Sequence, residues 1–109
     1  MKDIYTGTYK VKLDAKHRIS IPSKIRDCAQ RRNQDNTMWY YTKHRDSLYT
    51  ITDSPLLCKD NPQDWFASKQ DAHHRITLHD AAYANETFLL KAMGDYLVLE
   101  KENQEKTAK

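Results

Sequence analysis

Apolar residues fall on odd positions at the start of the chain. Tyr5, Tyr9, Val11 and Leu13 share this phase, Gly7 keeps it, and Lys10 and Lys12 stand between them. A period of two predicts a strand with one buried face. "DAKHR" interrupts the alternation and "ISI" resumes β-branched residues before Pro22. Proline lacks an N–H and fits a helix's first turn, so "SKIRDCAQ" is predicted to be helical. Ile25, Cys28 and Ala29 fall at i, i+3 and i+4, one helical face. The helix is expected to end near Gln30, with "RRNQDN" a polar loop. "TMWYYTK", "HRDS" and "LYTIT" read as strand, turn and strand, and the short separation predicts a hairpin. "DSPLLCKDNPQD" carries Pro55 and Pro62 and reads as an irregular connector.

The pattern then restarts. "DAHHRITLH" repeats "DAKHRISIP" 57 positions later. "HRITL" is predicted to be a strand and "HDAAYANE" one or two helical turns, with His79 where Pro22 stood. "TFLLKA", "MGD" and "YLVLE" form a second strand–turn–strand unit. By the same offset Ser68 and Gln70 replace Val11 and Leu13, so "DWFASKQ" reads either as a degenerate strand or as a helical turn. "KENQEKTAK" is charged and has no core residue, so it is expected to fray. The expected class is α+β: two tandem β-hairpin/short-helix halves sharing one core with pseudo-two-fold symmetry. Residues 1–53 form the first half, 54–64 the connector, 65–101 the second half and 102–109 a flexible tail. One half buries too little surface to stand alone, and a shared core is the structural reason for the duplication.

Hydrophobic content of 39% in 109 residues suits one modest core. The net charge of +3 is mild but uneven. Residues 1–36 hold nine Lys/Arg against four Asp/Glu, while residues 71–109 hold five against seven. The basic end suits an anionic partner. Cys28 and Cys58 make no disulfide framework, and no apolar run approaches a membrane span. The chain is therefore expected to be cytoplasmic and reduced. A structural zinc site needs four ligands in paired spacings, which His73, His74 and His79 do not supply. Two glycines cannot build a phosphate-cradling loop, and no Ser or Cys sits in a nucleophile-elbow context. The expectation is a non-enzyme with no cofactor and no small-molecule substrate. In Trp39-Tyr40-Tyr41, alternate members are expected to face the core and a partner subunit rather than stack on bases.

The repeated turn carries the candidate chemistry. Asp14 and Arg18 bracket three residues, as do Asp71 and Arg75. Asp can accept from backbone N–H groups just ahead of it, and an Arg four residues on can return to pair with it. That bracket alone is enough to staple a turn. The same loop is also crowded with cations: Lys10, Lys12, Lys16, Arg18, Lys24 and Arg26. Arg is well shaped to read guanine in the major groove, and both Lys and Arg contact phosphates. A carboxylate beside such an Arg fixes its orientation. The second turn's firm cation is Arg75.

"YTGTYKVKLDAKHRISIPSKIRD" resembles the first half of the MraZ family, whose members read close to F-x-G-x-Y-x-x-x-L-D-x-K-G-R-x-x-I-P-x-x-x-R. Gly7, Tyr9, Leu13, Asp14, Lys16, Arg18, Ile21, Pro22 and Arg26 fall in register. "DAHHRITLHDAAYANETFLLKAMGDYLVLEKE" resembles the second half. The resemblance implies an AbrB/SpoVT-type swapped-hairpin fold, AbrB-like in each half. It implies a transcriptional regulator that binds short direct repeats of double-stranded DNA upstream of a division and cell-wall operon. It also implies a ring-shaped homo-oligomer, nucleoid-associated and not membrane-bound. The family's Asp-x-x-x-Arg signature falls on Asp14 and Arg18, and on Asp71 and Arg75. His17 and His74 stand where the family has its turn glycine, either reshaping the turn or adding an imidazole contact. His79 replaces the second proline, and the connector is shorter. An alternative of another class is an AbrB-fold antitoxin that neutralises a protein toxin. Such chains usually carry one motif and a long tail, whereas here the motif is doubled and the tail is short.

Overall fold

The alternation near the N-terminus becomes β1 (Thr8–Leu13), with Val11 and Leu13 buried and Lys10 and Lys12 exposed. A computed structural model describes residues 4–32, 38–54, 64–79 and 81–102. After the first turn come β2 (Arg18–Ser20), α1 (Ser23–Arg32), β3 (Met38–Arg45) and β4 (Leu48–Thr52). The second half contributes β5 (Phe66–Lys69), β6 (Arg75–Thr77), β7 (Glu86–Ala92) and β8 (Leu97–Lys101). The class is α+β, with antiparallel strand pairing and one helix among the described residues.

Six strands form one sheet in the order β1-β7-β8-β4-β3-β5, and β2 and β6 form a separate two-stranded ribbon. Sequence neighbours are not the only partners. β1 of the first half pairs with β7 of the second, and β5 of the second half pairs with β3 of the first. The strands of each half therefore complete the sheet of the other.

One face of the six-stranded sheet is continuous core. Alternation delivers Val11, Leu13, Phe88, Leu90, Leu97, Leu99, Tyr49, Ile51, Tyr41 and Trp39 to it, all buried. Ile19 and Ile76 close this core from the ribbon side, and Ile25, Cys28 and Ala29 close it from α1. Of the aromatic run, Trp39 and Tyr41 are core and Tyr40 is half-buried on the opposite face.

Three local expectations are corrected, and the open choice at "DWFASKQ" is decided in favour of the strand. The helix runs two residues past Gln30, because Arg32 is held in place. Its Nε donates to Asp53 Oδ2 at 3.0 Å, its Nη1 lies 3.4 Å from Asp95 Oδ1, and its guanidinium sits 4.9 Å from the Tyr5 ring centre. The first hairpin turns at Asp46 and Ser47, with His44 and Arg45 inside β3. "FASK" is a strand, not a helical turn. Ser68 is buried there and accepts the Thr77 N–H at 3.0 Å. The helical turns expected in "HDAAYANE" are not formed at residues 79 and 81–85. β6 and β7 are joined by residues 78–85, too few for a second ten-residue helix, whereas β2 and β3 are joined by residues 21–37. Asn85 takes a left-handed φ of 61°, and Ala81 and Tyr83 pack on the core instead. The connector lies outside the described residues at 55–63, as does the tail at 103–109.

Candidate nucleic-acid interface

Both repeated turns are built by one set of hydrogen bonds. Asp14 N–H donates to the Arg18 carbonyl at 3.0 Å, and His17 N–H donates back to the Asp14 carbonyl at 3.0 Å. Asp14 Oδ1 accepts the Lys16 and Arg18 N–H groups at 2.9 and 2.8 Å, and Oδ2 accepts Arg18 Nε at 2.9 Å. In the second turn Asp71 and His74 make the matching backbone bonds at 2.9 and 3.0 Å. Asp71 Oδ1 accepts from the His73 and Arg75 N–H groups at 2.8 and 2.9 Å, and Oδ2 accepts Arg75 Nε at 3.1 Å. The two carboxylates thus do the stapling that the spacing suggested.

His17 and His74 both take φ of 64°. The turn therefore keeps the left-handed geometry for which glycine is the easy residue, and histidine carries it. The consequence reaches across the molecule. Ile21 N–H donates to the His74 carbonyl at 2.9 Å, and Leu78 N–H donates to the His17 carbonyl at 2.8 Å. Each left-handed residue offers its carbonyl to the residue that follows the ribbon strand of the other half.

The ribbon sets the two arginines side by side. Its register is Arg18 with Thr77, Ile19 with Ile76, and Ser20 with Arg75. Ile19 and Ile76 face the core, so Arg18, Ser20, Arg75 and Thr77 share the outward face. The Arg18 and Arg75 side chains are 26% and 25% exposed, neither buried nor on opposite sides. Diagonal positions of this kind lie roughly 7–8 Å apart between Cα atoms. Each guanidinium spends its Nε on its own Asp. Among the described residues neither Nη pair has a hydrogen bond.

The electrostatics follow from the bonds. Desolvation pushes the Asp14 carboxyl up, but the Arg18 backbone and side-chain bonds and the Lys16 N–H outweigh it and hold the pKa below the usual carboxylate value. At Asp71 the Arg75 N–H is the main cause of a similar lowering, helped by the His73 N–H and the Arg75 charge. Both carboxylates stay ionised near neutrality, so each clamp persists.

The other candidates are spread more widely. Lys16 is exposed in the first turn, where the second turn has His73. His74 is exposed, with Nδ1 3.3 Å from Gln70 Nε2, and Gln70 in turn accepts from Trp39 Nε1 at 3.0 Å. Arg26 is half-buried, and its Nε donates to the Ile21 carbonyl at 3.0 Å, tying the first turns of α1 to the residue that follows β2. Lys10 and Lys12 project from the outer face of the six-stranded sheet, where the Lys10 ammonium lies 3.4 Å from Glu102. Lys24 lines a groove of about 200 Å³ with Ile4, Thr6, Tyr9, Asp27, Cys28 and Arg31. The structure thus gathers Asp14, Lys16, His17, Arg18, Asp71, His74 and Arg75 around the ribbon. It sets Lys10, Lys12 and Lys24 on other surfaces. Ser20 and Thr77 join the ribbon face although neither drew notice in the sequence. The signal was there, since each stands two residues after an Arg on a strand.

Among the described residues, no group of three or more His, Cys, Asp or Glu side chains is arranged to hold a metal ion. No helix there is long and apolar enough to cross a membrane. Compared with known proteins, the chain matches no protein-family model and no curated sequence.

Proposed function

We propose that this chain is a sequence-specific double-stranded-DNA-binding transcriptional regulator of the MraZ type, built from two AbrB-like, swapped-hairpin halves. The observation that carries the reading is the β2–β6 ribbon. It presents two Asp-clamped arginines on one outward face, each with an Nη pair that makes no hydrogen bond among the described residues. A B-DNA major groove admits a two-stranded ribbon, and a forked guanidinium matches the O6 and N7 acceptors of guanine. Asp14 and Asp71 orient the forks, and Lys16 adds a phosphate contact beside the first. Exchange of β1 and β5 between halves supports the swapped arrangement, and so does a hydrogen-bond set that recurs at the 57-residue offset. One ribbon offers few cations, so several subunits on successive DNA repeats gain by effective concentration. A homo-oligomer acting in the cytoplasm on short repeats near a division and cell-wall operon is the setting this reading implies.

The test is Arg18→Ala on duplexes selected from a random pool. Titration by fluorescence anisotropy is expected to show specific affinity falling by about tenfold or more, the worth of one bidentate base contact. Circular dichroism and sedimentation are expected to stay unchanged, because the Asp14 backbone bonds remain. Unchanged affinity with an intact fold refutes the reading, and an unfolded variant assigns Arg18 to the staple alone.

A further inference from the structure

The geometry of the ribbon points to more than DNA binding. We propose that a single chain reads two guanines on opposite DNA strands, separated by about two base-pair steps, one through Arg18 and one through Arg75. The inference rests on the DNA-binding reading and deepens it.

The argument starts from register. The ribbon pairs Arg18 with Thr77 and Ser20 with Arg75 around the central Ile19–Ile76 pair. The repeat offset makes Arg75 the counterpart of Arg18 and Thr77 the counterpart of Ser20. Exchanging the two strands therefore maps the register onto itself, with its centre at Ile19 and Ile76. β4 and β8 are the central neighbours of a sheet whose order, β1-β7-β8-β4-β3-β5, maps onto itself when β1, β3 and β4 are exchanged with β5, β7 and β8. Tyr49 pairs with Leu99 and Ile51 with Leu97, centred on Thr50 and Val98. The two centres lie in the ribbon and in the sheet, on either side of the core, so one approximate two-fold axis relates the halves and passes out through the ribbon face.

A two-fold axis that points into a groove brings the protein's symmetry onto the local dyad of the duplex. Residues related by that axis meet opposite strands. Arg18 and Arg75 are such a pair, clamped alike at 2.9 and 3.1 Å from Nε to Asp Oδ2. Their Cα separation of roughly 7–8 Å spans about two steps of DNA at 3.4 Å each. A bidentate fork at each end selects guanine, so the core of the site is a short inverted guanine pair. The halves are not identical. Lys16 of the first turn becomes His73 in the second, and Ser20 becomes Thr77. The flanks of the site are therefore read unequally while its centre is nearly symmetric.

The experiment selects duplexes from a random pool with the full chain, then replaces each candidate guanine with 7-deazaguanine, which lacks the N7 acceptor. Two sensitive guanines are expected, one on each strand, each costing about fivefold or more in affinity. Arg18→Lys is expected to abolish the sensitivity at one guanine only, and Arg75→Lys at the other. Two sensitive guanines on the same strand, or both variants silencing the same guanine, overturn the inference while leaving DNA binding intact. Recovery of no preferred duplex overturns the DNA reading and this inference together. The base replacements are made against the unaltered protein, so this arm stands even where a variant fails to fold.

Discussion

At single residues, backbone geometry and charge are joined in the same turn. An Asp that accepts two N–H groups and a guanidinium ties three residues together, itself and two ahead, and it needs its negative charge to do so. The Asp14 and Asp71 pKa values lie below the ordinary carboxylate range in the folded chain. A carboxyl depressed on folding stabilises the fold above its unfolded pKa of about 4, and that support is lost as pH falls through the folded value. Urea denaturation midpoints are therefore expected to fall steadily below about pH 4 in the native chain. In Asp14→Asn/Asp71→Asn that part of the acid limb is expected to flatten, with a lower plateau at neutral pH. An unchanged acid limb would remove the clamps from the stability of the turn. His17 and His74 show the limit of residue-type reading. The sequence left open a reshaped turn or an added imidazole contact; the turn keeps its left-handed geometry at both histidines, and their carbonyls accept the Ile21 and Leu78 N–H groups of the other half.

At the scale of elements, the duplicated pattern is kept where both halves share a partner and lost where length fails. β1 and β5 are counterparts, yet Val11 is apolar where Ser68 is polar. The buried Ser68 hydroxyl satisfies the Thr77 N–H, so the strand keeps its place with a hydrogen bond rather than a methyl contact. Ser68→Val restores the residue of the first half but strands that donor. The change is expected to destabilise the fold by about 1–2 kcal/mol in chemical denaturation, despite the added apolar surface. A gain in stability would show that packing, not the hydrogen bond, governs the position. The helix illustrates the opposite case. Its apolar face at Ile25, Cys28 and Ala29 was plain from spacing. Its end was not, because the last turn is held by Asp53 and Asp95, far away in the chain. There the Tyr5 hydroxyl donates to Asp53 at 2.7 Å, and burial, with that bond adding, pushes the phenol far above its ordinary pKa.

For the whole molecule, exchange of strands makes the halves interdependent. β1 has β7 as its sheet partner and β5 has β3, each drawn from the other half. A chain of residues 1–54 leaves β1 without β7 and β2 without β6. It is expected to lack cooperative thermal unfolding and the near-ultraviolet signal of a packed Trp39. Mixing it with a chain of residues 64–102 is expected to restore both. A folded, monomeric first half would contradict the shared core. The same exchange carries function, because Arg18 and Arg75 come to one face only through the β2–β6 pairing. A charge count does not reveal this. Lys10, Lys12 and Lys24 are close to Arg18 in sequence, yet they project from other surfaces.

By itself the sequence determined the local units: alternating strands, a helix stripe, two Asp-x-x-x-Arg turns and their 57-residue spacing. These are set by short-range sterics, capping and side-chain period, which act within a few residues. Tertiary structure decided which strands pair across halves, that one connection was too short for a helix, and that two arginines from distant turns share a face. Those outcomes depend on closing a common core between Ile19, Ile76 and the six-stranded sheet, and no local pattern encodes a partner that far along the chain.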